Sequence, residues 1–143
     1  MKKLIPILTA LILVTFFACN QNPKTKDTTT DFPFEEYTIA QLQQGYDSGD
    51  FTVTEVVQAY LDRINAIDDK GPMLNAVIQV NPDALAIAAQ LDTELKEGKK
   101  RGPMHGIPVL LKDNIDTHDQ METTAGSRAL AGSHPLQDSY IAM

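Results

Sequence analysis

Cysteine is almost missing from this 143-residue chain: Cys19 stands alone. A single thiol excludes an internal disulfide and any cysteine-built zinc cage. Basic residues are scarce, with 12 Lys+Arg against 19 Asp+Glu and a formal net charge of −7. A chain of that balance does not attract a phosphate backbone, which argues against a nucleic-acid partner. Tryptophan is absent, and aromatics amount to only 6%. Glycine and proline, eight of each, point to neither collagen nor global disorder. There is no GxGxxG, no P-loop, no HExxH and no GxSxG, so the common signatures for dinucleotides, nucleoside triphosphates, catalytic zinc and a nucleophile elbow are all missing. The length suits one small domain.

The long apolar run lies at the N-terminus. Met1-Lys2-Lys3 is a short cationic start, and Leu4 to Ala18 is almost wholly apolar. As a helix that run would span roughly 22 Å, short of a hydrocarbon core of roughly 30 Å. Residues 1–18 therefore read as a signal peptide, with a spanning anchor as the alternative. Phe16-Phe17-Ala18-Cys19 resembles the lipobox of bacterial lipoproteins, which implies acylation at Cys19. Residues 19–31 are polar and read as a flexible tether of at most about 40 Å. The expected location is the bacterial periplasm or cell surface, with the membrane as partner through a lipid anchor at Cys19. Loss of residues 1–18 removes Lys2 and Lys3 and no acid, so the mature chain is still more acidic.

Phe32 opens the globular part. Thr38 and Gln41 form a capping box that starts a helix ending near Ser48-Gly49-Asp50, and Thr52 with Glu55 forms a second. Val53, Val56, Val57, Tyr60, Leu61, Ile64 and Ile67 then fall on one helical stripe, with Asp62, Arg63 and Asp68 as solvated charges. Leu74–Val80 reads as a mostly buried strand. Asn81 caps a third helix with Pro82 at its first position, and Gly98 ends it. Lys96, Lys99, Lys100 and Arg101 cluster at that end as compensation for the helix dipole. Ile107–Lys112 reads as a second strand. Strand, helix, strand suggests a βαβ unit, so the fold class is α/β.

Lys112 stands at the carboxyl end of an apolar strand, where α/β sheets place their active sites. Partial burial there disfavours the ammonium, and a neutral lysine can act as a general base toward a hydroxyl. The simpler reading is a stem lying over the strand end with its charge in water. Asp113, Asp116 and Asp119 lack the alternation and turn glycine of a calcium loop, so they read as a solvated loop and no metal is implied. His105, His118 and His134 read as loop or surface histidines. Gly126-Ser127 reads as a turn, the glycine supplying a positive φ and the serine bonding the local backbone.

The string Gly102-Pro103-Met104-His105-Gly106-Ile107-Pro108-Val109-Leu110-Leu111-Lys112-Asp113-Asn114-Ile115-Asp116 closely resembles the amidase signature family, as does Thr123-Thr124-Ala125-Gly126-Ser127. The similarity runs from about Thr38 to Asp138. It implies a large α/β/α fold and hydrolysis of a carboxamide by a Ser–Ser–Lys triad, with Lys112 as the catalytic lysine. It implies a small-molecule or peptide amide as substrate and no cofactor. None of Ser48, Ser127, Ser133 or Ser139 matches either serine of that triad. On this resemblance, residues 32–143 are the N-terminal part of an amidase domain, truncated, with Asp138 capping a helix cut short. The 143-residue chain by itself is then expected to be inactive. Two alternatives stand beside it: a tethered binding or structural domain that kept the fold and lost the chemistry, and an amidotransferase-A-like subunit. The export signal and acidic balance argue against the second.

Overall fold

Two capping boxes start the helical layer. In α1 (Ile39–Ser48), Thr38 Oγ1 accepts the Gln41 N–H at 3.2 Å and Gln41 Oε1 accepts the Thr38 N–H at 2.8 Å. Gly49, at φ 75°, closes that helix in the left-handed conformation. In α2 (Val53–Arg63), Thr52 and Glu55 exchange the same pair of bonds at 3.1 and 2.8 Å. The chain then continues as a π-helical stretch, Ile64–Asp69, before α3 (Ala84–Lys96) and a short 3₁₀ turn, Arg128–Leu130. This computed structural model describes residues 32–143, so the signal peptide, Cys19 and tether readings lie outside the described residues.

The stripe on α2 faces the core. Val53 and Val56 are essentially inaccessible and pack with Phe34, Leu42, Tyr46 and Ala88. The few aromatics are concentrated here: Phe32, Phe34, Tyr37, Tyr46, Phe51 and Tyr60 meet edge to face at centroid distances of 4.9–6.2 Å. That arrangement adds quadrupole attraction to their burial. Arg63 sits 5.1 Å from the centre of the Phe32 ring, so it is a cation–π partner and not a solvated charge.

A residue of α3 completes the N-terminus of α2. The Asp92 carboxylate accepts the Val53 N–H at 2.7 Å, the Thr54 N–H at 3.0 Å and the Thr54 hydroxyl at 2.6 Å. It thus satisfies donors that no helix can satisfy internally and places negative charge at the positive end of α2. Asp92→Ala is expected to cost about 0.5–2 kcal/mol, the range for a lost N-cap. A denaturant midpoint unchanged from wild type would refute that role.

The structure corrects several expectations. Helix α3 begins at Ala84, two residues later than Pro82, because Asn81 Oδ1 accepts the Asp83 N–H at 2.9 Å and folds the entry into a turn. Its end is as expected: Gly98 N–H bonds Leu95 O at 2.9 Å and Lys99 N–H bonds Glu94 O at 2.8 Å, a Schellman closure. Asp68 is buried, its carboxylate accepting the Ala76 and Val77 N–H groups at 2.8 and 3.1 Å. Asp138 caps no helix; its carboxylate accepts the His118 N–H at 2.6 Å, and the chain closes in a turn at Ser139.

The largest correction concerns the strands. Among the described residues neither 74–80 nor 107–112 forms a backbone ladder, so the βαβ unit and the α/β class are not realised there. A strand exists only by pairing, and its donors need a neighbour. Here the apolar side chains meant for such a layer face outward, with Ile78 69% and Leu110 77% exposed.

Candidate active site

The segment leading to Lys112 is docked on all three helices. His105 is buried; its Nδ1 accepts the Arg101 N–H at 3.2 Å and its Nε2–H donates to Leu91 O on α3 at 3.1 Å. Those two contacts assign the Nε2–H tautomer. Its carbonyl accepts from Gln43 Nε2 on α1 at 2.7 Å. The next carbonyl, Gly106, accepts the Tyr46 hydroxyl at 2.8 Å. Burial above all, with the charge of Asp92 adding to it, pushes the Tyr46 phenol well above its ordinary range, so it stays a donor. Gly106 has φ 75°, and a Cβ there would lie 2.5 Å from Val53 Cγ2. His105 is therefore a buried structural pin within a loop: the sequence reading of a loop or surface histidine holds for its loop position and not for its exposure.

Lys112 follows this anchored loop. Its side chain is exposed, and no hydrogen bond or ion pair engages its Nζ among the described residues. The burial expected to favour a neutral amine is not supplied by these residues. Three cations near the end of α3 are, by contrast, spent on carboxylates. Lys99 meets Glu97 at 2.7 Å, Lys100 meets Asp47 at 2.9 Å, and Arg101 Nε meets Glu94 at 2.6 Å. The Arg101 hydrogen bond is the main reason the Glu94 carboxyl is held down to about 2. That cluster is a set of surface ion pairs, where dipole compensation alone was expected. Surface concavities lie beside α3, one lined by Glu94, Lys99 and Arg101, another by Leu91, Pro103, His105 and Met143; Lys112 lines neither.

Asp113 turns the other way and grips the second matched segment. Its carboxylate accepts the Thr124 N–H at 3.2 Å, the Thr124 hydroxyl at 2.5 Å and the Gly126 N–H at 3.3 Å. Its carbonyl accepts the Ala125 N–H at 2.9 Å. The Thr124 hydroxyl, then the Thr124 and Gly126 amides, hold the Asp113 carboxyl below the usual carboxylate range. From sequence, Asp113 is a solvated loop acid. Nothing local marks its role, because its partners are 11 to 13 residues away.

Ser127 behaves as the sequence suggests. Gly126 has φ 74°, and Ser127 Oγ accepts the Ala129 N–H at 3.3 Å. The three loop acids serve different partners. Asp116 O accepts the Ser139 N–H at 2.9 Å, and the Asp119 carboxylate accepts the Met121 N–H at 2.7 Å. No group of three potential metal ligands forms among the described residues. His118 and His134 bond the carbonyls of Pro135 and Met121 at 3.0 and 3.3 Å.

Residues 55–142 match the family described as Amidase. The chain belongs to the amidase family. An amidase-family protein of Schizosaccharomyces pombe is 45% identical over 119 residues, covering 83% of this chain and 19% of that protein. The A component of the glutamyl-tRNA(Gln) amidotransferase from Chloroflexus aurantiacus is 42% identical over 105 residues, covering 73% of this chain and 21% of that protein. The solved peptide amidase of Stenotrophomonas maltophilia superposes with a TM-score of 0.74 at 50% identity, over 78% of this chain and 22% of the enzyme. The chain thus spans about a fifth of the length of the relatives it matches.

Proposed function

We propose that the full-length protein hydrolyses the C–N bond of a peptide or small-molecule carboxamide, with Lys112 as its general base. The observation that carries this reading is the family match over residues 55–142, which includes Lys112 and the segment that holds it through His105, Gly106 and Asp113. Among the described residues the Lys112 Nζ has no hydrogen-bond or ion-pair partner. An uncommitted amine can take a proton when neutral and return it to the departing amine. In the Ser–Ser–Lys scheme that the family resemblance implies, the proton reaches Lys112 from a bridging serine, which receives it from the attacking serine. The attacking oxygen forms an ester to the acyl group, the amine leaves with the proton, and water then releases the acid. Neither serine is matched by Ser48, Ser127, Ser133 or Ser139, so residues 32–143 alone release no ammonia on this reading.

The similarity to a glutamyl-tRNA(Gln) amidotransferase supports a second reading, in which released ammonia passes to an acceptor instead of to water. The acidic balance of the chain favours hydrolysis over a tRNA-linked reaction. Ammonia release from a C-terminally amidated peptide and from glutamine, compared between wild type and Lys112→Ala, tests the proposal. Turnover on the peptide amide is expected to fall by about 10²–10⁴-fold in the variant. Equal rates in both would remove Lys112 from the chemistry, and turnover on glutamine alone would favour the second reading.

The export reading belongs to the same proposal: Cys19 is the lipidated first residue of the mature protein at the periplasmic or outer face of a membrane. The expected product in a membrane fraction is a mature chain whose N-terminal Cys19 carries acyl mass. A soluble chain cleaved at another residue would refute it by mass spectrometry.

A further inference from the structure

We propose that Asp113 is a positioning residue for Lys112: by clamping the Thr124–Gly126 turn it fixes the backbone from which the lysine projects. The inference rests on the reading of Lys112 as general base. Three consecutive residues, Thr124, Ala125 and Gly126, all donate to this one aspartate, through its carboxylate and its carbonyl. The turn they form is not one the chain would hold unaided. Ala125 and Gly126 lie in succession at φ 49° and 74°, and a residue with a Cβ is disfavoured there. The clamp therefore supplies what local propensity withholds. It also supplies what Lys112 lacks. Val109, Leu110 and Leu111 are exposed, and the Lys112 side chain has no partner among the described residues. The fixed points nearest to it are the Asp113 clamp and the turn in which Lys112 O accepts the Ile115 N–H at 2.9 Å. The carboxyl is held in its charged form by the same donors, so the clamp is closed throughout the neutral and alkaline range in which an amine base works. A catalytic amine misplaced by a fraction of an ångström loses rate while substrate affinity is little changed.

The test uses the full-length protein and an amidated peptide, with kcat and KM measured separately. Thr124→Val removes the hydroxyl donor while keeping the shape, and Thr124→Ser restores it. Thr124→Val is expected to lower kcat about tenfold, the size of one hydrogen bond to a charged acceptor, with KM within about twofold. Thr124→Ser is expected to recover most of that loss. Asp113→Asn, which sets amide donors against donors, is expected to lower kcat further. In a Lys112→Ala background it is expected to add little, because the group it positions is gone. An equal loss from Asp113→Asn in both backgrounds, or a Thr124→Val enzyme with wild-type kcat, would leave the clamp a purely structural tie and overturn the inference. Where the background rate is too low to measure, or Asp113→Asn does not fold, the split between Thr124→Val and Thr124→Ser decides. Full activity in Lys112→Ala would instead overturn the parent reading and this inference together, so the two failures are distinguishable.

Discussion

Lys112→Arg is expected to be as inactive in amide hydrolysis as Lys112→Ala, despite keeping the charge and most of the length. The reason is chemical. A general base must exist in its neutral form for part of the catalytic cycle. A lysine amine can do so, whereas a guanidinium stays protonated at every pH an enzyme tolerates. Among the described residues the Lys112 side chain is exposed and has no partner, so arginine displaces no contact there. Both variants should therefore melt within a degree or two of wild type while losing about 10²–10⁴-fold in kcat. Those two readouts separate chemistry from stability. An arginine enzyme with near-normal turnover would show that the residue supplies only charge, and the proton-transfer role would have to be abandoned.

Gly106→Ala is expected to be strongly destabilising. The backbone at Gly106 has φ 75°, which costs a residue with a Cβ about 1–2 kcal/mol. The added methyl would also lie 2.5 Å from Val53 Cγ2 and 3.3 Å from Tyr46 Cε2. Both neighbours are buried, and Tyr46 is tied to the Gly106 carbonyl, so neither can move aside freely. Overpacking of that kind adds about 1–3 kcal/mol. A combined loss of about 2–5 kcal/mol is a large part of a domain stability of about 5–15 kcal/mol. The same change loosens the loop that leads into Lys112, so activity should fall with the melting temperature. Gly98→Ala serves as the control: it also has a positive φ but meets nothing within 4 Å, so it should show the backbone penalty alone. Similar losses at the two glycines would mean that the Val53 contact yields without cost.

The helices were legible because their signals are local. A capping box spans four residues, a Schellman glycine sits next to the turn it closes, and the Val53–Ile67 stripe repeats at the helical period. The Gly-Ile-Pro-Val-Leu-Leu-Lys-Asp-Asn string identified the family without any tertiary information. What the sequence by itself determined was thus the capped starts of α1 and α2, the glycine stops at Gly49 and Gly98, and the family. The strand readings find no ladder among the described residues, because an apolar run reports only a preference for pairing, and pairing depends on a neighbour elsewhere in space. Only the tertiary structure decided that 74–80 and 107–112 run without a ladder among the described residues. It also decided that Asp92 caps a helix 38 residues away, that His105 is a buried pin, and that Asp113 grips the Thr124–Gly126 turn. In each case the physical reason is the same. A carboxylate or imidazole looks alike in any sequence window, and its role is set by which backbone donors and acceptors the fold brings within about 3 Å.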